Sequence, residues 1–94
     1  MGSTLNFSIF HYRDNSNLEI DCILEFTTNE YAAIEIKLSN DKVADAVKNL
    51  INFKNKMIKN GTNPPKFLAV IVGLNAISCV KDGVYIIPYS FLKD

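Results

Sequence analysis

Three residues carry the chemistry this sequence offers: Asp21, Glu35 and Lys37. Two carboxylates are hard oxygen donors of the kind a small divalent cation takes. Alternation is what would bring the three together, because successive side chains of a strand point to opposite faces. In Tyr31–Leu38, Ile34, Ile36 and Leu38 share one side while Glu35 and Lys37 share the other. In Leu18–Phe26, an apolar row of Leu18, Ile20, Cys22, Leu24 and Phe26 stands opposite Glu19, Asp21 and Glu25. The short break at Thr27-Thr28-Asn29 predicts that the two runs pair as an antiparallel hairpin. Asp21, Glu35 and Lys37 then converge on a solvated face backed by an apolar one, an arrangement suited to metal-assisted phosphodiester chemistry.

The elements that must position them follow in order. Residues 5–12 read as a first strand, with Leu5, Phe7 and Ile9 against Phe10 and Tyr12. Residues 13–17 are a turn cluster of short polar side chains, and strands over 18–27 and 30–38 complete a meander. Ser39-Asn40-Asp41 supplies helix N-cap chemistry. From there Val43, Ala44, Val47, Leu50, Ile51, Met57 and Ile58 recur at helical spacing, predicting a helix over 41–59. Asn60-Gly61 stops it, and Pro64-Pro65 forbids its continuation. The apolar run Phe67–Val72 lacks alternation and reads as a parallel strand over 66–73, covered on both faces and reached through a helical crossover that should be right-handed. Runs 77–81 and 84–88 flank Asp82-Gly83, a favoured hairpin turn, and a terminal helical turn falls in 89–94. The expected fold is therefore α/β with a mixed sheet: a β-β-β-α-β core plus a C-terminal β-hairpin. One helix covers only one face of it, so something else is expected on the other.

Composition narrows the partners. A chain of 94 residues that is 48% hydrophobic and 21% charged is one soluble, globular domain, taken as 4–94 with Met1–Ser3 as an appended start. Net charge is +0, so no global field draws in polyanions. Within 41–59, however, five lysines face two aspartates. Cys22 and Cys79 lack metal-ligand spacing, and the one histidine, His11, leaves no His-based triad or zinc site to build. No apolar run approaches the roughly 20 residues of a membrane span, and no secretory signal is present, which together predict a cytoplasmic protein with no membrane partner.

The order β-β-β-α-β, with Asp21 on the second strand and Glu35-Ile36-Lys37 on the third, resembles the core of the PD-(D/E)XK nuclease superfamily, the restriction-endonuclease-like fold. More narrowly, the runs His11–Asp14, Leu18–Glu25, Ala33–Lys37, Pro65–Val72 and Asp82–Pro88 are similar to a domain of unknown function. That domain sits at the C-terminal end of many bacterial and archaeal ATPases of the AAA class. The resemblance implies that Asp21 and Glu35 bind Mg²⁺ or Mn²⁺ and that Ile36 lends its backbone carbonyl. It also implies that Lys37 orients or helps deprotonate the attacking water. The superfamily's opening helix, which covers the second sheet face, has no counterpart here, and neither does a GxxxxGK[ST] phosphate loop. The chain is accordingly expected to be the C-terminal part of a longer ATPase, with that ATPase module, DNA, or a second copy of itself in a homodimer as partners.

Each functional reading has a plainer competitor. Asp21, Glu35 and Lys37 also fit a solvated face on which a lysine offsets carboxylates across strands. Glu19, one pleat from Asp21, is a candidate accessory ligand, whereas Glu25 reads as peripheral. Arg13, Lys48 and Lys54 are candidate nucleic-acid contacts, although a lysine-rich helix face more commonly just solubilises. His11 reads as structural. The alternative to a nuclease is a non-catalytic module of the same fold that binds nucleic acid or protein.

Overall fold

The computed structural model describes residues 6–73 and 77–92; the start at Met1–Ser3 and Leu5 of the first strand lie outside them. The meander forms as expected: β1 (Phe7–Arg13), β2 (Glu19–Phe26) and β3 (Tyr31–Lys37) pair antiparallel in sequence. Asn29, at φ 69°, supplies the left-handed residue of the β2–β3 turn, in which Phe26 N–H donates to Glu30 O at 2.8 Å. A single 3-10 turn, Asn40–Lys42, leads into α1 (Val43–Lys59). The cap chemistry expected of Ser39 is absent, because its hydroxyl bonds the Asp41 carboxylate instead of a helix N–H. The far end of α1 closes as a Schellman motif: Gly61, at φ 80°, donates to Ile58 O, and Thr62 N–H reaches Met57 O at 2.9 Å.

Beyond the helix, β4 (Leu68–Val72) lies parallel to β3, which gives the βαβ unit. The hairpin of β5 (Cys79–Lys81) and β6 (Val84–Pro88) turns at Asp82 and Gly83, both at positive φ. It does not stand apart: β6 lies parallel to β4, so all six strands form one mixed sheet in the order β1-β2-β3-β4-β6-β5. A 3-10 turn, Tyr89–Phe91, occupies the terminal segment. No helix of the described residues is long and apolar enough to cross a membrane.

The alternation rule names two faces but not which one the helix covers, and here the expectation is reversed. The core row facing α1 on β3 contains Ala33 and Glu35; of the row expected to be buried, Ile34 is buried on the other face, while Ile36 and Leu38 are 57% and 75% exposed. The reason lies in the neighbours. Leu68, Val70 and Val72 of β4 and Val84 and Ile86 of β6 face α1, supply its apolar bed, and carry Glu35 in at the edge of it. The β2 row is also shifted. Phe10 pairs Ile23 and Tyr12 pairs Ile20, so one residue of β1 opposes two of β2, and Asp21-Cys22 is a bulge. The bulge puts both Ile20 and Ile23 into the core, where strict alternation places them on opposite faces.

On α1 the buried stripe is Val43, Ala46, Val47, Leu50 and Phe53. Ile51 and Met57 flank it, whereas Ala44 and Ile58, expected in it, are exposed. Phe53, 2% exposed, meets Tyr12 and Tyr31 edge-on at ring-centroid distances of 5.0 and 6.3 Å. Among the described residues no helix lies on the opposite sheet face, where Ile9 and Tyr85 are 63% and 49% exposed.

The β1–β2 turn is tied to α1 through Asp14. Its carboxylate accepts from Ser16 N–H at 2.9 Å, Ser16 Oγ at 2.7 Å, Tyr12 Oη at 3.0 Å and Lys56 Nζ. The Lys56 ammonium, ahead of the Ser16 bonds, holds its pKa far below the ordinary 3.8.

Phe53→Ala is expected to cost about 3–5 kcal/mol of stability in denaturant unfolding. Because the folded-state pKa of Asp14 is depressed, its contribution is complete above its ordinary 3.8 and fades as pH falls below it. Asp14→Asn should therefore lower the melting temperature at neutral pH and flatten the acid limb of the stability curve. An acid limb as steep as the wild type's would assign that limb to other carboxylates.

Candidate metal centre at the fork of β2 and β3

Backbone pairing between β2 and β3 runs from Glu25–Tyr31 to Cys22–Ile34 and stops there, at the bulge. Beyond that point the strands part, and side chains take over the ladder. Asp21 N–H donates to Glu35 Oε1 at 2.9 Å, and Ile36 N–H donates to Asp21 Oδ2 at 2.9 Å. Each carboxylate thus satisfies an amide on the other residue's side of the fork, which holds the two acids together. In a strand, the N–H and C=O of one residue point toward the same neighbour. The Ile36 carbonyl therefore projects to the β2 side, as its N–H does.

The environments of the two acids differ. Asp21 is exposed. Glu35 is 4% exposed and is the buried charged residue of the described chain. Burial pushes its pKa up, as does the neighbouring Asp21 charge, while the Asp21 amide, the Lys37 ammonium and the Asn49 amide pull it back. Lys37 Nζ lies 3.9 Å from Glu35 Oε2, an ion pair too long for a hydrogen bond, so its donors remain available to a third group.

All three residues line one open groove of about 420 Å³. Asn17 joins them from the β1–β2 turn, Glu19 from β2, and Asp45 and Asn49 from α1. Four carboxylates therefore surround one ammonium, a balance that favours a cation. The donor set fits a hard one: two carboxylates and a backbone carbonyl, with waters and phosphate oxygens to complete the shell, is how Mg²⁺ is usually held. Among the described residues no three His, Cys, Asp or Glu side chains converge closely enough to hold an ion by themselves, so protein carboxylates alone do not fill a shell here.

The other candidates fall elsewhere. Glu19 borders the groove, but its carboxylate bonds His11 Nε2 at 2.7 Å. Arg13 lies opposite Glu19 at the end of β1, and Lys48 and Lys54 are exposed on α1; none of the three lines the groove. Cys22 is half-buried with its thiol pKa pushed up by burial, as a reduced, inert thiol behaves. Asp45, which the sequence suggests only as an acid at the positive end of the helix dipole, and Asn49 are groove residues that the strand pattern does not name. Their spacing of four places them on one helix face, beside the buried Ala46 and Leu50, and that was the available signal.

Asp21→Asn keeps an oxygen for the Ile36 amide and removes the repulsion on Glu35, so the metal-free melting temperature should hold or rise slightly. Glu35→Gln sets an NH₂ against either the Asp21 amide or the Asn49 amide and should cost about 1–3 kcal/mol. Equal destabilisation by the two substitutions in thermal unfolding would contradict this asymmetry.

Comparison with curated proteins and with solved structures finds no match. A family model does match, over residues 2–92: a domain of unknown function, DUF4143, commonly found with AAA ATPases. That match takes in β1–β6, α1 and both acids of the fork, and the chain belongs to the DUF4143 family.

Proposed function

We propose that this domain is a Mg²⁺-dependent, PD-(D/E)XK-like nuclease module acting on DNA phosphodiesters as part of an AAA-class ATPase. The observation that carries the reading is the interlock of Asp21 and Glu35 where β2 and β3 part, with Ile36 and Lys37 following on the same strand. The residues that would hold the cation are Asp21, Glu35 and the Ile36 carbonyl. When bound, a divalent cation supplies charge neutralisation at the phosphoryl oxygens and lowers the pKa of a nearby water. The chain's own contributions are distinct from that. Asp21 and Glu35 are preorganised by backbone amides and need little rearrangement on binding. Lys37, free of a short ion pair, is placed to orient a water or carry its proton. The acidic groove repels a bare polyanion, so a phosphate backbone would enter only with a cation in place.

A second reading is favoured by the same hydrogen bonds. Both carboxylates already have backbone partners, so the fork is satisfied without a cation. A non-catalytic module that binds nucleic acid or protein beside the ATPase fits that state.

Two measurements separate the readings. Mn²⁺ or Mg²⁺ should raise the wild-type melting temperature, with a stabilisation of about 2.7 kcal/mol at a hundredfold excess over Kd, and Asp21→Asn should lose that response. Supercoiled plasmid should be nicked in Mg²⁺ but not in EDTA, with Lys37→Ala slower by about 10²-fold or more. Nicking that survives Glu35→Ala, or a melting curve indifferent to millimolar Mn²⁺, supports the accessory module instead.

A further inference from the structure

The fork is braced from the helix side by one residue that the reading above does not use. Asn49 of α1 donates its amide nitrogen to Glu19 O at 2.8 Å and to Glu35 Oε2 at 3.1 Å. Both partners are acceptors, so only the NH₂ end can face them and the amide has one permitted orientation. The other Glu35 oxygen, Oε1, receives the Asp21 N–H. A donor thus sits on each oxygen, and the carboxylate plane is pinned at both ends.

Resting on the reading of this groove as a cation site, we infer that Asn49 is a positioning residue that keeps Glu35 a one-oxygen ligand and so favours Mg²⁺ and Mn²⁺ over Ca²⁺. Oε1 lies on the Asp21 side, where the second carboxylate and the Ile36 carbonyl are. The Asn49 amide engages Oε2, so Glu35 would have to break that bond to present both oxygens to one ion. Mg²⁺ accepts single oxygens and retains its waters in a strict octahedron, whereas Ca²⁺ takes six to eight oxygens and commonly chelates a carboxylate through both. Without Asn49, Oε2 is free to swing in, and the larger ion gains a ligand.

Calorimetric titration of the wild type and Asn49→Ala with MgCl₂, MnCl₂ and CaCl₂ tests this. Wild type should prefer Mg²⁺ and Mn²⁺. Asn49→Ala should lose about tenfold or more in Mg²⁺ affinity, as outer residues around a metal commonly do, while Ca²⁺ affinity falls less or rises, so the Mg²⁺/Ca²⁺ ratio narrows. Asn52→Ala, exposed on the same helix and outside the groove, should leave the ratio unchanged. If Asn49→Ala melts below the titration temperature, Asn49→Ser, whose single hydroxyl proton cannot serve both acceptors, should narrow the ratio in its place. Variants that bind but keep the wild-type ratio overturn the role of Asn49. A wild type that binds none of the three ions removes the cation site itself, a different signature.

Discussion

The β2–β3 ladder ends before Asp21 and Ile36, and at that point carboxylates take the backbone amides that strand pairing no longer satisfies. The bulge at Asp21-Cys22 separates the strands, and the amides of Asp21 and Ile36 would otherwise lose their partners. Glu35 and Asp21 supply the missing acceptors crosswise. Two negative groups are thereby held together at the edge of a core that would otherwise exclude them. The position of α1, the depth of Glu35 and the shape of the groove all meet at this exchange.

The exchange has a cost that points toward its use. Glu35 is buried beside another acid, and both burial and that neighbour raise its pKa. A chain seeking only stability would close the ladder with backbone pairing and leave Glu35's position to an apolar residue, as Val70 does beside it on β4. Sites where local rules are broken and then carefully satisfied are where function is usually sought. The groove is acidic within a chain of zero net charge, so its field is local: it concentrates a small cation without drawing polyanions to the whole surface.

Much of this was legible in the residues. The meander, the crossover, the helix stop at Asn60-Gly61 and the Asp82-Gly83 turn all follow from local chemistry, and the structure places each of them. Asp21, Glu35 and Lys37 share a groove, as their strands suggested, but not on an outward face. β3 alone does not decide the helix-covered side: β4 is apolar in both directions, so the choice of face depends on packing across the neighbouring strands. The bulge was hidden in Cys22-Ile23-Leu24, three apolar residues in a row where alternation fails. Helical spacing puts Asn49 beside the buried face, but its role depends on a carboxylate fourteen residues away being buried rather than solvated.

The most direct test of the account is paramagnetic broadening of backbone amide NMR signals during a substoichiometric Mn²⁺ titration of the metal-free domain. If the fork is the cation site, the amides of Asp21, Ile36 and Lys37 broaden first, ahead of those around Asp14, whose carboxylate is paired with Lys56. Broadening centred on another acidic surface, or none in the fork at millimolar Mn²⁺, would contradict the account.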